Sequence, residues 1–468
     1  MDRNPDGADE FEGVFPVDDP GASDDAARNR LSFPWMPSVL ASLGQRWTRL
    51  VNRGTLEHAA LWLGGILVGL IAVGYAKAVE HAQRSYFAAF EAHPWLVAAA
   101  APLLFLVAVA LVRRLAPDAK GSGIPQVLLA IDAAEPTGSE SARAESLTSL
   151  RTAVVKVGSS LVGILGGAAI GREGPTVQIA ASVFGWIGRS SRRWARTVDL
   201  RSFLVAGAAA GVAAAFNTPL AGIAFAIEEI VAGTFDLFKR RVLLAVILAG
   251  ITAQILVGNY LYFGHPAVAD PGSRIIPEAI LIGVLAGLAG GTFARLLAIP
   301  GLARLPERWW PRALVCGAVC GGLILLTDGA TAGSGYESTE AMLLAAAPPD
   351  VSPLLPLAKL VATAMSYLSG MAGGIFSPTL SIGAGLGVAV DSLANLGQFK
   401  IAAMIGMVAF FAATVQAPLT AVIIVTEMTN ERHLILPFMI AAFLAHGIGR
   451  WLMPVPLYQL LARRHLEA

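Results

Sequence analysis

Long runs of apolar residues without a single Asp, Glu, Lys, Arg or His recur along most of the chain. They lie at 61–76, 95–112, 204–227, 242–257, 279–294, 401–425 and 434–444. A helix needs about 20 such residues to cross a bilayer, and several of the runs approach or exceed that length. Charged residues make up 14% of the 468 residues, against about 25% in soluble domains. The pattern predicts an all-α polytopic membrane protein.

Glycine and proline interrupt this apolar sequence often, with 49 Gly and 27 Pro in the chain. Irregular backbone at membrane depth is tolerated only where it packs on protein or lines a cavity. The composition therefore favours a transporter or a channel built with broken helices. The net charge of +1 gives no indication of a nucleic-acid partner.

One of these breaks carries charged residues. Arg172 and Glu173 lie in the sequence GREGPTVQ at 171–178, between two apolar segments. An ionisable residue at membrane depth indicates a functional site. The break predicts that one helix ends and another begins here, and a helix start offers free N–H groups to an anion. The structural alternative is an ion pair between Arg172 and Glu173 at the helix end.

The segment at 1–50 differs in kind, because its Asp and Glu residues stand among Pro, Gly and Ala. Such a composition is typical of disorder. The transmembrane domain is then expected at 55–468. Basic residues cluster in 189–201 and 236–241 and near both ends of that domain, and by the positive-inside rule these loops and both termini are expected on the cytoplasmic side of the cell (inner) membrane.

The second half of the chain repeats landmarks of the first in the same order. The pairs are Gly121-Ser122-Gly123 with Gly333-Ser334-Gly335, Lys156 with Lys359, Gly171 and Pro175 with Gly374 and Pro378, and Pro219 and Glu228 with Pro418 and Glu427. Duplicated transporters bind their substrate near the midplane, between broken helices of both halves. We predict two structural repeats, approximately at 55–260 and 275–465.

Three of these stretches, GSGIP at 121–125, GREGP at 171–175 and GGIFSP at 373–378, resemble the hallmark sequences of the CLC chloride channel and transporter family. The resemblance extends from about residue 55 to the C-terminus. It implies a CLC-like fold with inverted repeats, a pore within each subunit, a homodimer in membrane lipid and no cofactor. Because the sequence ends at Ala468, no CBS domains are expected.

The resemblance also implies a chloride site. By the family pattern, the hydroxyls of Ser122 and Tyr458 bind a dehydrated chloride together with the backbone N–H groups of Ile375 and Phe376. Neutral donors and helix ends stabilise a halide without the strong attraction of a fixed ammonium group, so the ion can leave again. Taken alone, Ser122 is more typical of a turn or helix cap, and Tyr458 of an interfacial aromatic.

Two glutamates match the family's proton-carrying positions. Glu173 resembles the external gating glutamate, and Glu229 resembles the internal proton-transfer glutamate of exchanging members. Glu228 has a repeat counterpart in Glu427 and is therefore expected to be structural. For either of the adjacent acids, a helix end or an ion pair with the following basic residues is the alternative. Two positions depart from common family patterns, Gln126 and Leu128.

The resulting hypothesis is a proton-coupled chloride antiporter, and the alternative is a passive chloride channel of the same fold. A fluoride exporter of this family fits GSGIP and Tyr458 less well. An intramembrane enzyme with Ser122 or Ser159 as nucleophile would need a base, and the sequence suggests no histidine for that role, so we expect no enzyme. Cys316 and Cys320 are expected to be small packing residues rather than metal ligands.

Overall fold

The computed structural model describes residues 53–467 except 135–137, 192–198, 231–239, 259–260, 267, 270, 300–307, 349–351 and 396. The acidic segment 1–50 lies outside the described residues, as do parts of the basic loops 189–201 and 236–241. The disorder expected of the first and the cytoplasmic position expected of the others remain predictions.

The first half of the described chain is helical. Its helices are α1 (Arg53–Ala92), α2 (Pro94–Leu115), α3 (Ile124–Asp132), α4 (Gly138–Leu147), α5 (Leu150–Leu165), α6 (Glu173–Ser191), α7 (Leu200–Phe216), α8 (Pro219–Phe225) and α9 (Arg240–Val257). A π-helical turn, Ala226–Ile230, continues α8. As the sequence predicted, one helix ends before the GREGP stretch and another begins within it.

The second half follows the same order. Its helices are α10 (Ile275–Leu297), α11 (Trp309–Leu326), α12 (Tyr336–Leu344), α13 (Leu355–Ser369), α14 (Phe376–Ala394), α15 (Phe399–Val415), α16 (Pro418–Thr429), α17 (Ile435–Leu452) and α18 (Leu457–Glu467). Partners match in length: α6 and α14 have 19 residues each, α7 and α15 have 17, and α9 and α17 have 18. In the packing, α1 lies against α9 as α10 lies against α17.

Many of these helices carry the surface that a bilayer requires. In the described part of the chain, five helical stretches are long and apolar enough to cross a membrane, namely Ala59–Ala92, Pro94–Leu115, Ile275–Leu297, Trp309–Leu326 and Arg432–His465. Large apolar side chains such as Trp95 and Leu326 are 76% and 83% exposed. Exposure on this scale suits lipid rather than water, because lipid tails are as apolar as these side chains.

The long apolar runs are interrupted at equivalent places by the same local chemistry. Asn217 caps the end of α7 and Gln416 caps the end of α15, each in the left-handed conformation, with φ of 58° and 66° respectively. Pro219 and Pro418 then occupy the first turn of the next helix, where the missing N–H group costs no hydrogen bond. The runs 204–227 and 401–425 therefore form two short helices each rather than one long span.

A reciprocal contact joins the two halves beside these breaks. The Glu228 carboxylate accepts hydrogen bonds from the N–H groups of Leu419 and Thr420 at 3.1 and 2.8 Å, at the start of α16. The Glu427 carboxylate accepts from the N–H of Ala221 at 2.7 Å, at the start of α8. Each acid thus satisfies the free donors of the other half's helix, as expected for a structural role of Glu228.

Candidate functional site

The three glycine-rich stretches meet through backbone hydrogen bonds. The N–H of Gly121 donates to Met371 O at 2.8 Å, and the N–H of Gly373 donates back to Gly121 O at 3.0 Å. Gly171 and Gly374 exchange a second pair at 2.7 and 2.9 Å. Residues more than 200 positions apart are therefore fixed side by side, and the starts of α3, α6 and α14 converge on one buried point.

Ser122 lies at this point. A Cβ on Gly174 would lie only 2.3 Å from Ser122 Oγ, so a residue without a side chain is required where α6 begins. Gly123 precedes α3 with φ of 97°, a conformation that side chains disfavour. Ser122 is 1% exposed, and its hydroxyl has no hydrogen-bond partner among the described residues. A buried hydroxyl in this state is a candidate ligand group.

Tyr458 reaches the same region from the C-terminal helix α18, which packs against α3. Its side chain is fully buried, and its hydroxyl also has no hydrogen-bond partner in the described part of the chain. The hydroxyl lies within interaction range of Ser122, yet neither forms a hydrogen bond of normal geometry. Two unsatisfied donors thus lie near each other in a dry environment, which suits a dehydrated anion.

Helix α14 directs its first turn into the site. Ile375 caps the helix and Phe376 is its first residue, so the backbone N–H groups here belong to the unpaired first turn. The N–H of Ser377 donates to Glu173 Oε2 at 3.4 Å. The positive end of the helix dipole favours negative charge at this position. The structure thus brings the predicted residues Glu173 and 375–376 together.

Glu173 is the first residue of α6 and is only 1% exposed. Its other oxygen, Oε1, accepts a hydrogen bond from the hydroxyl of Tyr262 at 3.4 Å. Sequence reasoning missed Tyr262, which lies in the segment after α9 within an aromatic cluster. One tyrosine in an irregular segment has no periodic signal, and its contact with Glu173 depends on tertiary folding.

A cavity of about 460 Å³ opens beside Glu173. The charged residues lining it are Glu80, Arg84, Arg172, Glu173, Glu337 and Glu340, together with Tyr262 and Tyr336. The cavity connects the buried carboxylate with a polar surface. Its lining is therefore polar enough to hold water beside Glu173.

Glu229 lies in the π-helical turn that follows α8. It is 3% exposed, and its Oε1 has no hydrogen-bond partner among the described residues. π-Helical turns occur frequently at functional sites. The two predicted acids therefore lie in separate elements, Glu173 at the start of α6 and Glu229 in the turn after α8.

An aromatic cluster surrounds Phe376 at the start of α14. The ring of Phe376 lies 5.0 Å from Phe216, 5.9 Å from Phe225 and 4.3 Å from Phe411, measured between centroids. These side chains are fully buried. The cluster therefore makes the surroundings of the α14 start apolar and dry.

The two unusual positions have clear local roles. Gln126 donates to Lys120 O at 2.6 Å and so braces the turn before Ser122. Leu128 is buried in the main core on α3. Ser159, the second nucleophile considered above, donates to Ala108 O and accepts from the N–H of Ala372, which makes it a structural bridge.

The buried lysines of the two halves bind equivalent turns. Lys156 Nζ donates to Gly121 O at 2.9 Å. Lys359 Nζ donates to three successive carbonyl oxygens, those of Thr331, Ala332 and Gly333, at 2.9 to 3.0 Å. Each ammonium group thus contacts the glycine turn that precedes a helix start.

Comparison with known proteins decides the family. The sequence pattern that defines the family described as voltage gated chloride channel matches residues 103–450. The chain belongs to this CLC family. The H(+)/Cl(-) exchange transporter ClcA of Vibrio parahaemolyticus is 33% identical over 393 residues, which cover 80% of each chain. The protein of the same name from Cronobacter sakazakii is 35% identical over 442 residues, covering 86% of this chain and 88% of that protein.

Solved structures give the same fold. The crystal structure of a slow cyanobacterial Cl-/H+ antiporter superposes with a TM-score of 0.75 at 26% identity, and covers 89% of this chain and 98% of that one. A CLC-type fluoride/proton antiporter superposes with a TM-score of 0.69 at 24% identity, over 87% and 97% of the chains. The predicted all-α, CLC-like fold is confirmed, and the chain is an integral multi-pass membrane protein.

Proposed function

We propose that the chain exchanges chloride for protons across a membrane. The observation that carries the proposal is the position of Glu173, a buried carboxylate that accepts from the first turn of α14 where the family pattern binds an anion. An acid in an anion site links the two substrates, because the same group that takes up a proton also competes with chloride.

The proposed chloride site uses neutral donors only. Ser122 and Tyr458 contribute hydroxyls whose hydrogen bonds are otherwise unmade, and Ile375 and Phe376 contribute N–H groups at a helix start. A desolvated chloride recovers hydrogen bonds there, and leaving these buried donors unsatisfied is unfavourable without it. Because no ammonium or guanidinium group is required as a ligand, binding stays weak enough for transport.

Glu173 acts in this scheme as the external gate. When ionised, its carboxylate occupies the start of α14 and excludes chloride by charge and by volume. When a proton arrives through the cavity of about 460 Å³, the neutral carboxyl loses its attraction to the helix dipole and leaves. Chloride then enters, and the proton moves with the side chain.

Glu229 supplies the internal proton step. It lies apart from the anion site in the π-helical turn after α8, and it is buried without a partner for Oε1. The Tyr458 hydroxyl is buried and has no hydrogen-bond partner among the described residues, which supports its use as a polar step on a proton route between the two acids. Separate internal routes for anion and proton favour exchange over a passive chloride channel.

The test is proton flux in proteoliposomes under an imposed chloride gradient. We expect the wild type to move protons uphill, Glu229→Gln to lose proton movement while chloride still flows, and the adjacent Glu228→Gln to retain both. Glu228 is the matched control because it lies in the same turn and its amide replacement still caps α16. Chloride flux in the wild type without proton movement would make the protein a channel.

The assembly and membrane placement complete the proposal. We propose a homodimer, with both termini on the cytoplasmic side of the cell (inner) membrane, chloride and protons as the transported species and lipid around the dimer. The family relationship and the basic residues flanking the helices support this arrangement. Chemical cross-linking in membranes tests the dimer, and labelling of cysteines introduced near each terminus tests the orientation.

A further inference from the structure

We infer that Tyr262 is a positioning residue for Glu173 that sets how readily the gate leaves the anion site. This inference rests on the proposed gating role of Glu173. It concerns a side chain that none of the three hallmark stretches contains. Tyr262 belongs to a short segment after α9 that folds back over the start of α6.

The contact itself is direct and buried. The Tyr262 hydroxyl donates to Glu173 Oε1 at 3.4 Å, and Tyr262 is 3% exposed. The opposite oxygen, Oε2, accepts from the N–H of Ser377 at the same distance. Normal hydrogen bonds to oxygen are shorter than about 3.2 Å. The carboxylate is therefore held between two weak donors on opposite sides, an arrangement that suits a group that must bind and leave repeatedly.

The tyrosine ring is fixed well enough to position its neighbour. Its centroid lies 5.8 Å from Phe216, 5.0 Å from Phe263 and 5.0 Å from Tyr336, and all three contacts are edge-to-face. Such geometry is the favoured one for aromatic pairs. The segment is further fixed by the N–H of Phe263, which donates to Met428 O at 3.3 Å.

The same ring is adjacent to a cation. The Arg172 guanidinium carbon lies 5.7 Å from the Tyr262 centroid, which is a cation–π contact. Arg172 precedes Glu173 directly in the chain. The ring therefore keeps a positive group close to the gate while its hydroxyl contacts the carboxylate. Other charged or titratable groups near Glu173 are Glu80 and Arg84 on α1, Glu337 and Glu340 on α12, and the phenols Tyr75 and Tyr458.

A hydroxyl donor favours the ionised gate. Hydrogen bonds to a charged acceptor are stronger than bonds to the neutral form, so Tyr262 stabilises the seated carboxylate more than the protonated one. Without the hydroxyl, protonation frees the gate at a higher pH. The charged groups named above remain unchanged in Tyr262→Phe, which also preserves the ring contacts.

The experiment compares chloride efflux from proteoliposomes between pH 4 and pH 8 for the wild type, Tyr262→Phe and Tyr336→Phe. We expect half-maximal flux of Tyr262→Phe to move upward by about 0.5 to 1 pH unit. Tyr336→Phe is the matched control, because it removes a hydroxyl from the same cluster that donates to Glu340 rather than to Glu173. An unchanged profile for Tyr262→Phe, or an equal shift for the control, would overturn the inference.

The Glu173→Gln background separates positioning from general damage. If Tyr262 acts through the carboxylate, adding Tyr262→Phe to Glu173→Gln has no further effect on the pH profile; a persisting shift would contradict the inference. Chloride titration at pH 8 gives a second measure, since a less firmly seated gate competes less and chloride binds several-fold more tightly. If the wild type moved chloride without moving protons, the proposed exchange would be wrong. The pH profile of chloride flux would still test the role of Tyr262 in that case.

Discussion

The glycine turn at 121–123 and its counterpart at 333–335 have the same sequence, Gly-Ser-Gly, but their serines differ in hydrogen bonding. Ser122 has a buried hydroxyl without a partner in the described part of the chain, whereas Ser334 accepts a hydrogen bond from the N–H of Tyr336 at 3.3 Å. Lys156 contacts one carbonyl oxygen of its turn, and Lys359 contacts three. Of the two similar turns, one thus uses its serine in a local hydrogen bond, and the other leaves its buried serine hydroxyl without a partner among the described residues.

The helix starts that follow differ in a complementary way. Helix α6 begins with Glu173, an acid, and α14 begins with Phe376, which contributes only its backbone N–H. The acid of the first helix accepts from the N–H of Ser377 in the second. In the proposed mechanism, one half therefore provides the movable carboxylate and the other half the fixed site for it. The two halves differ here in a few side chains on a similar scaffold.

The largest expected effect comes from removing that acid. In Glu173→Gln we expect proton movement to fall at least about 100-fold, the usual scale for loss of a proton-transferring side chain, while chloride still flows and becomes insensitive to pH. The measurement is paired proton and chloride flux in proteoliposomes. Glu337→Gln, in the adjacent cavity, is the control and should stay coupled. If proton and chloride movement stayed coupled in Glu173→Gln, the two helix starts would not differ in function as proposed.

The lysines give the next largest effect, on stability. Lys359→Met leaves three carbonyl oxygens without this donor, and we expect it to lose about 3 kcal/mol of unfolding free energy. Lys156→Met should lose about 1 kcal/mol, because Gly121 O still accepts from the N–H of Gly373.

Thermal unfolding of the detergent-solubilised variants, followed by circular dichroism, measures both losses. If the two turns differ as described, Lys359→Met loses more unfolding free energy than Lys156→Met. Equal destabilisation by the two substitutions would mean that the first turn depends on its lysine as much as the second does.

The serines sharpen the comparison with a smaller effect. Ser122→Ala should raise the chloride dissociation constant about fivefold, which corresponds to one hydrogen bond of about 1 kcal/mol. Ser334→Ala should leave chloride affinity unchanged and cost a few tenths of a kcal/mol in stability, since it removes only a local contact in the turn. Isothermal titration with chloride and thermal unfolding distinguish the two. If Ser122→Ala bound chloride as tightly as Ser334→Ala and the wild type, Ser122 would not be a ligand.

Much of this arrangement could be predicted from sequence because it depends on residue identity at a chain break. The helix start at Glu173 follows from the Gly/Pro break, the structural role of Glu228 from its counterpart Glu427, and the interest of Ser122 from the family resemblance of its motif. Tyr262 could not be predicted, because its partner is 89 positions away and its segment has no regular structure. The three carbonyl contacts of Lys359 were likewise hidden, since the sequence gives both lysines the same apolar surroundings.

The smallest expected effect on chloride affinity concerns the placement of Tyr458. This residue lies on α18, which packs against α3, the helix that follows the first glycine turn. Helix α18 is held beside that turn by Asp118, which contacts His465 at 3.1 Å. Hydrogen bonding from His465 lowers the pKa of Asp118 below its usual value near 3.9. Its stabilising contribution is therefore present above about pH 4 and is lost as the pH falls through the lowered pKa.

Asp118→Asn should accordingly lose no more than about 1 kcal/mol at pH 7, the scale of a partly exposed ion pair, and the difference from wild type should shrink as the pH falls below 4. Thermal unfolding at pH 7, 5 and 3.5 measures it. Chloride affinity at pH 7 should fall less in this variant than in Ser122→Ala, because Asp118 acts only through the placement of α18. A stability difference that grew on acidification would contradict the assigned sign, and no loss at pH 7 would mean that packing of α18 on α3 alone holds Tyr458 in the site.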